Sequence, residues 1–152
     1  MSDPLSHVNL PASGITAQFS EEARAALAGY GEYVEVAPPH NLIEEGQELA
    51  SMYIVASGQL SVRRQGQTSE VELAKLNPGD TFGEISVFDP GLTSATITPL
   101  QPSVVWRLSL QQLEFLMNNN HKLGGMLLIG LATILSQRLR AMNKKYVDAA
   151  RV

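Results

Sequence analysis

Residues 79–95 read Gly79-Asp80-Thr81-Phe82-Gly83-Glu84-Ile85-Ser86-Val87-Phe88-Asp89-Pro90-Gly91-Leu92-Thr93-Ser94-Ala95. Gly83 lacks the side chain that would keep the backbone away from a ligand. The turn that starts at Glu84 is predicted to open a short helix, and the first N–H groups of such a helix have no intrahelical partner and favour an anion. Ile85 and Ser86 would supply those donors. The run is therefore read as a backbone cradle for a negatively charged group, followed eight residues after Ile85 by the polar pair Thr93-Ser94 and by Ala95.

On both sides of this stretch the apolar residues fall in short runs. They are Tyr33-Val34-Glu35-Val36, Met52-Tyr53-Ile54-Val55, Leu60-Ser61-Val62, Val71-Glu72-Leu73-Ala74, Ala95-Thr96-Ile97 and Val104-Val105-Trp106. Pro38-Pro39, Glu45-Gly46, Ser57-Gly58, Gln65-Gly66-Gln67, Asn77-Pro78-Gly79 and Asp89-Pro90-Gly91 punctuate them. Many short strands at near-regular spacing predict a closed antiparallel architecture, a barrel or double-sheet roll over about residues 32–110, and not βαβ units.

Helical signals flank the strands. Ser20-Glu21-Glu22 and the alanine-rich run to Tyr30 predict a short N-terminal helix with a serine cap and Gly31 past its end. Residues 1–14, with Pro4, Pro11 and Gly14, read as a flexible lead-in to one domain over 15–152. Paired C-terminal helices are expected over about 110–149, the first at Gln111–Asn118 and the second starting near His121 or Lys122. Along the second, Leu128, Ala132, Leu135, Leu139, Met142 and Tyr146 are spaced 4, 3, 4, 3, 4, which is a heptad seam. Leu127, Leu131 and Ile134 form an adjacent stripe. One stripe is expected on the roll and the other on a second copy of the chain, the alternative being that both pack on the same domain.

A chain of 152 residues, 44% hydrophobic, fits one domain with a sizeable core. Its net charge of -4 opposes general affinity for nucleic acid. No cysteine is present, no secretion leader is expected from the opening residues, and the most apolar stretch, 123–135, is shorter than the ~20 residues that span a bilayer. A cytoplasmic address without membrane insertion is the expectation. His7, His40 and His121 have no metal-ligand spacing, and no nucleophile–base arrangement stands out, so neither a metal site nor a catalytic residue is predicted.

Phe82-Gly83-Glu84-Ile85-Ser86 followed by Thr93-Ser94-Ala95 resembles the phosphate-binding cassette of the cyclic nucleotide-binding domain family, FGE(L/I)(A/S/G) followed by R(T/S)A. Gly46, Gly58 and Gly79 match the family's structural glycines, and from about residue 19 onward the order of elements matches the sensor half of the catabolite activator group. The resemblance implies an α+β fold, an antiparallel jelly-roll-like β-roll with a short N-terminal helix, a cassette helix and paired C-terminal helices. It implies Gly83, Glu84, Ile85, Ser86, Thr93, Ser94 and Ala95 as the ligand-binding set. Glu84 would take the ribose 2′-hydroxyl, while Ser94 and the amide of Ala95 would take the phosphate. At position 93 the family's arginine would pair with the phosphate charge, and this chain has threonine.

Losing one partner of a desolvated charge pair costs about 2–5 kcal/mol, or roughly 30-fold to several thousand-fold in affinity. Arg63, Arg64 and Arg107 are the arginines nearest by strand position, and none is expected to substitute. Glu84 therefore has two readings, ribose ligand or helix-start carboxylate. Thr93-Ser94 likewise either contacts a ligand or begins a strand and satisfies local backbone groups. Arg138, Arg140, Lys144, Lys145 and Arg151 read as cations suited to a helix C-terminus. In DNA-binding relatives the long helix leads into a helix-turn-helix domain, which is not expected here.

The expected function is a non-enzymatic sensor module with a degenerate cassette, homodimeric through Leu128, Ala132, Leu135, Leu139 and Met142. The alternatives are a weakened or altered-specificity nucleotide receptor, and a scaffold that docks a protein partner. A cyclic nucleotide or another nucleotide is the ligand class implied, with no cofactor assigned.

Overall fold

The computed structural model describes residues 5–84 and 91–150. Ser20 Oγ accepts the amide of Ala23 at 3.1 Å and opens helix α1, Glu21–Ala28. The helix stops two residues short of the expected Tyr30, because the amide of Tyr30 bonds the carbonyl of Leu27 in a tighter turn. Upstream, a single 3-10 turn spans Gly14–Thr16. Leu10, within the segment read as a lead-in, is buried beside Ile15 and Phe19, so the packed part of the chain reaches back to it.

Among the described residues nine antiparallel strands follow: β1 Glu32–Val36, β2 Glu48–Leu49, β3 Ser51–Ser57, β4 Leu60–Gln65, β5 Glu70–Leu76, β6 Thr81–Phe82, β7 Gly91–Leu92, β8 Thr96–Pro99 and β9 Ser103–Ser109. They form sheets of order β1-β9-β3-β6 and β5-β4-β8, with β2-β7 as a small pair and an Ile43–Ile97 bridge. The two larger sheets enclose a roll. Five of the six apolar runs of the sequence lie wholly in its strands and the sixth, Ala95-Thr96-Ile97, enters β8 at Thr96, while the two-residue strands β2, β6 and β7 are too short to carry a period.

β3 is covered on both faces, which is why Met52-Tyr53-Ile54-Val55 is apolar without alternation. Met52 and Ile54 join Trp106 and Leu108 in a core under the helices. Tyr53 and Val55 join Leu60, Phe82, Ile97 and Val105 inside the roll. Trp106 also donates its indole N–H to the carbonyl of Ala28 at 3.1 Å, which ties α1 to β9.

Ser109 and Gln112 form a reciprocal capping box at the start of α2, Leu110–Asn119. Asn120 Oδ1 accepts the amide of Leu123 at 3.1 Å, and α3, His121–Ala150, runs on for thirty residues. Gly130 lets α3 lie against the 3-10 turn, since a Cβ there would strike the carbonyl of Ile15. Leu123, Leu127 and Leu131 of α3 are buried, and Leu128 and Ile134 pack partly against the same core. The rest of the proposed seam divides: Leu135 is half-buried like Leu128, whereas Ala132, Leu139, Met142 and Tyr146 are exposed, and residues 136–150 are exposed without exception. The chain is thus an α+β protein, an antiparallel β-roll with its helices packed against one sheet. The expected cassette helix falls outside the described residues.

A candidate ligand site at the mouth of the roll

Gly83, Glu84, Thr93, Ser94 and Ala95, nine to twelve positions apart across the turn, line one cavity of about 240 Å³. Ile43, Leu49, Val62, Phe82 and Ile97 supply the remainder of its described lining, which is apolar. Ile85 and Ser86 lie outside the described residues. Phe82 stacks on Tyr53 with ring centroids 4.8 Å apart and planes 2° from parallel, making a flat apolar surface under the cavity. Burial pushes the Tyr53 hydroxyl above its ordinary pKa, against the opposing pull of Arg107.

Gly83 has φ of 74°, and a Cβ there would sit 2.6 Å from the carbonyl oxygen of Ser51. Only glycine combines that left-handed backbone with that approach. The next residue, Glu84, is consequently turned inward and is 6% exposed. Its Oε1 forms an ion pair with Arg138 of α3, and its Oε2 is buried with no hydrogen-bond partner. Arg138 also donates from Nη2 to the carbonyl of Thr81 at 2.9 Å. The Thr81 hydroxyl, like Glu84 Oε2, is buried without a partner.

The opposite wall is organised by Thr93. Its hydroxyl donates to the carbonyl of Glu44 at 2.5 Å and accepts the amide of Gln47 at 3.0 Å. Its backbone N–H donates to Gln47 O and its carbonyl accepts from the amide of Gly46, both at 2.8 Å. Thr96 Oγ1 adds a bond from the amide of Glu45 at 3.0 Å. Ser94 is exposed and makes no side-chain hydrogen bond to a described residue, and the amides of Ser94 and Ala95 donate to none.

The three arginines nearest by strand position are engaged elsewhere. Arg107 pairs with Glu32 at 2.8 Å, Arg63 lies near Glu70 and Glu72 at 3.8 and 3.7 Å, and Arg64 near Glu45 at 3.8 Å. The arginine that reaches the site is Arg138, which the sequence reading treats as one of several helix-end charges. A signal for it exists in the spacing. Leu127, Leu131, Ile134 and Arg138 are separated by 4, 3 and 4, so Arg138 is the next member of the core-facing stripe and must point at the roll. Among the described residues no cluster of three His, Asp or Glu could hold a metal, and no helix is long and apolar enough to cross a membrane.

Residues 33–120 match the family pattern described as the cyclic nucleotide-binding domain, which is more than half of the chain. Curated relatives named CRP-like cAMP-activated global transcriptional regulator, from two strains of Mycobacterium tuberculosis, are 28% identical over 140 residues. That match covers 91% of this chain and 61% of theirs, so the chain spans under two thirds of their length. The N-terminal domain of a Streptomyces coelicolor transcriptional regulator superposes with a TM-score of 0.74 at 28% identity, covering 86% of this chain and 92% of that one. A cyclic nucleotide-binding domain from Methylobacillus flagellatus gives 0.75 at 26%, with 86% and 74% covered. The Thermus thermophilus catabolite activator protein gives 0.80 at 23%, with 91% and 63% covered, a likeness of fold.

Proposed function

The chain belongs to the cyclic nucleotide-binding domain family, and from that premise we propose that it is a non-enzymatic regulatory module whose cassette lacks the phosphate-pairing cation and does not hold cyclic AMP tightly. The observation that carries this reading is the state of Thr93. By resemblance it stands where the family's arginine would be, and its hydroxyl is already committed to the 44–47 turn. None of the described residues lining the cavity is lysine or arginine. A phosphate would find the hydroxyl of Ser94 and the amides of Ser94 and Ala95, but no paired positive charge on that wall.

The loss corresponds to roughly 30-fold to several thousand-fold in affinity. Calorimetry with cyclic AMP, cyclic GMP and adenosine tests the reading. The expected result is no saturable binding of either cyclic mononucleotide in the low micromolar range, and gain of cyclic AMP binding in Thr93→Arg. Micromolar binding by the native chain would replace the proposal with a receptor of altered specificity. An unchanged affinity in Thr93→Arg would remove position 93 from the site.

The output surface in this reading is the free face of α3, where Leu139, Met142 and Tyr146 are 57%, 67% and 78% exposed. A second copy packed along Ala132, Leu139 and Met142 would cover them. Light scattering on a Leu135→Asp, Leu139→Asp double variant is expected to report half the native mass, and an unchanged mass would dismiss the homodimer.

A further inference from the structure

Both oxygens of the Glu84 carboxylate are closed off. Oε1 is held by Arg138 and Oε2 is buried with no partner, so an incoming hydroxyl can reach neither until something moves. Glu84 is fixed by the turn at Gly83 and is 6% exposed, whereas the Arg138 side chain is 45% exposed. The arginine is the mobile member of the pair.

Arg138 has a second attachment in the carbonyl of Thr81, 2.9 Å from Nη2. Among the described residues these are the only side-chain hydrogen bonds or ion pairs joining α3 beyond Ile134 to the roll. The apolar packing of α3 on the core ends at that same residue. Residues 136–150, about 22 Å of helix at 1.5 Å per residue, are exposed throughout, and no other side-chain hydrogen bond or ion pair to the described residues of the roll holds them.

We propose that Arg138 is an autoinhibitory latch, occupying Glu84 in the empty protein and pinning the distal half of α3 to β6, so that a ligand gains the carboxylate only by displacing the helix's arginine. This rests on the cavity being the ligand site, as argued above. Displacement alone would leave Glu84 buried without a counter-charge, which is strongly unfavourable. The latch therefore opens for molecules that bring hydrogen-bond donors to replace the guanidinium, such as a vicinal diol or a ribose hydroxyl, and stays shut for apolar compounds of the same shape. Ligand binding and release of α3 become two readings of one equilibrium, each shifting the other by the same factor.

Hydrogen exchange on the full chain tests the latch without a ligand. Arg138→Gln and Glu84→Gln should each speed amide exchange over residues 134–146, and the double variant should add nothing beyond Arg138→Gln, because both singles break the Glu84–Arg138 contact and Arg138→Gln alone also gives up the bond to Thr81 O. Exchange in Arg138→Gln equal to the native rate overturns the latch. Calorimetry with adenosine and cyclic AMP then tests its inhibitory sense. Arg138→Gln should bind the probe between about 5-fold and 150-fold more tightly than the native chain, the range of a typical coupling. Weaker binding in Arg138→Gln makes the arginine a ligand partner and overturns the inhibitory role. If the exchange signature is present and neither protein binds either probe, the latch stands and the nucleotide reading of the cavity falls.

Discussion

The wall of the cavity at residues 44–47 and 91–97 and the distal half of α3 hold the two sides of one site by opposite means. On the wall, Thr93 alone makes four hydrogen bonds to neighbours, so the geometry is over-determined and survives the loss of any one. On the helix side, the described polar contacts between the roll and everything beyond Ile134 run through a single half-exposed arginine. Such a difference separates scaffold from switch. Redundant contacts fix a shape, while a single contact with a buried carboxylate gives an element two discrete positions that a ligand can bias.

The widest separation between these regions should appear in stability. Trp106 is fully buried between β9 and α1, and Trp106→Ala is expected to cost about 3–5 kcal/mol by urea unfolding. Leu139→Ala, on the projecting half of α3, should fall within about 0.5 kcal/mol at concentrations where the chain is monomeric. A loss at Leu139 comparable to that at Trp106 would break the comparison, since it would mean that the distal helix is buried on its own domain.

A smaller effect sharpens the account of the wall. Thr93→Val keeps the side-chain shape and removes the hydroxyl, leaving Gln47 N–H and Glu44 C=O only their mutual bond at 3.1 Å and water on an exposed turn. The expected cost is about 0.5–1.5 kcal/mol, the net worth of a typical hydrogen bond. At roughly 2–4 °C per kcal/mol for a domain of this size, thermal unfolding should register a fall of a few degrees. No change would mean that Thr93 is incidental to the turn, and its role as a strut would lapse.

The same contrast accounts for what was legible in the sequence. The strands of the roll are local, apolar and punctuated by turn residues, so Met52-Tyr53-Ile54-Val55 and Val104-Val105-Trp106 announce themselves within a few positions. The cassette residues Gly83, Glu84, Thr93, Ser94 and Ala95 are also close in sequence, and the structure brings them to one cavity. Either role for Thr93 was open, and the hydrogen bonds to Glu44 and Gln47 favour the local one. The Glu84–Arg138 pair bridges 54 positions and two elements, and no local pattern encodes it. Only the 4, 3, 4 spacing from Leu127 to Arg138 carried a trace, masked because a cation near a helix end already has a sufficient reason to be there.

The least effect concerns pH, and it belongs to the roll. Burial raises the hydroxyl pKa of Tyr53 above its ordinary value of 10.0, with Arg107 acting in the opposite sense. As pH rises past about 10, the unfolded chain gives up this proton while the folded chain keeps it. The unfolded state then binds fewer protons, and stability declines with rising pH. The contribution is intact below the unfolded pKa and is lost as pH climbs through the folded one. Tyr53→Phe keeps the stacked ring on Phe82 and removes the titration, so its unfolding temperature should fall less steeply between about pH 8 and 11 than that of the native chain. Lysines titrate in the same range in both proteins, so the difference between the two curves isolates Tyr53. Parallel curves would show that the hydroxyl is open to water, and with it that the roll beneath the cavity is looser than the packing of Tyr53, Val55 and Phe82 requires.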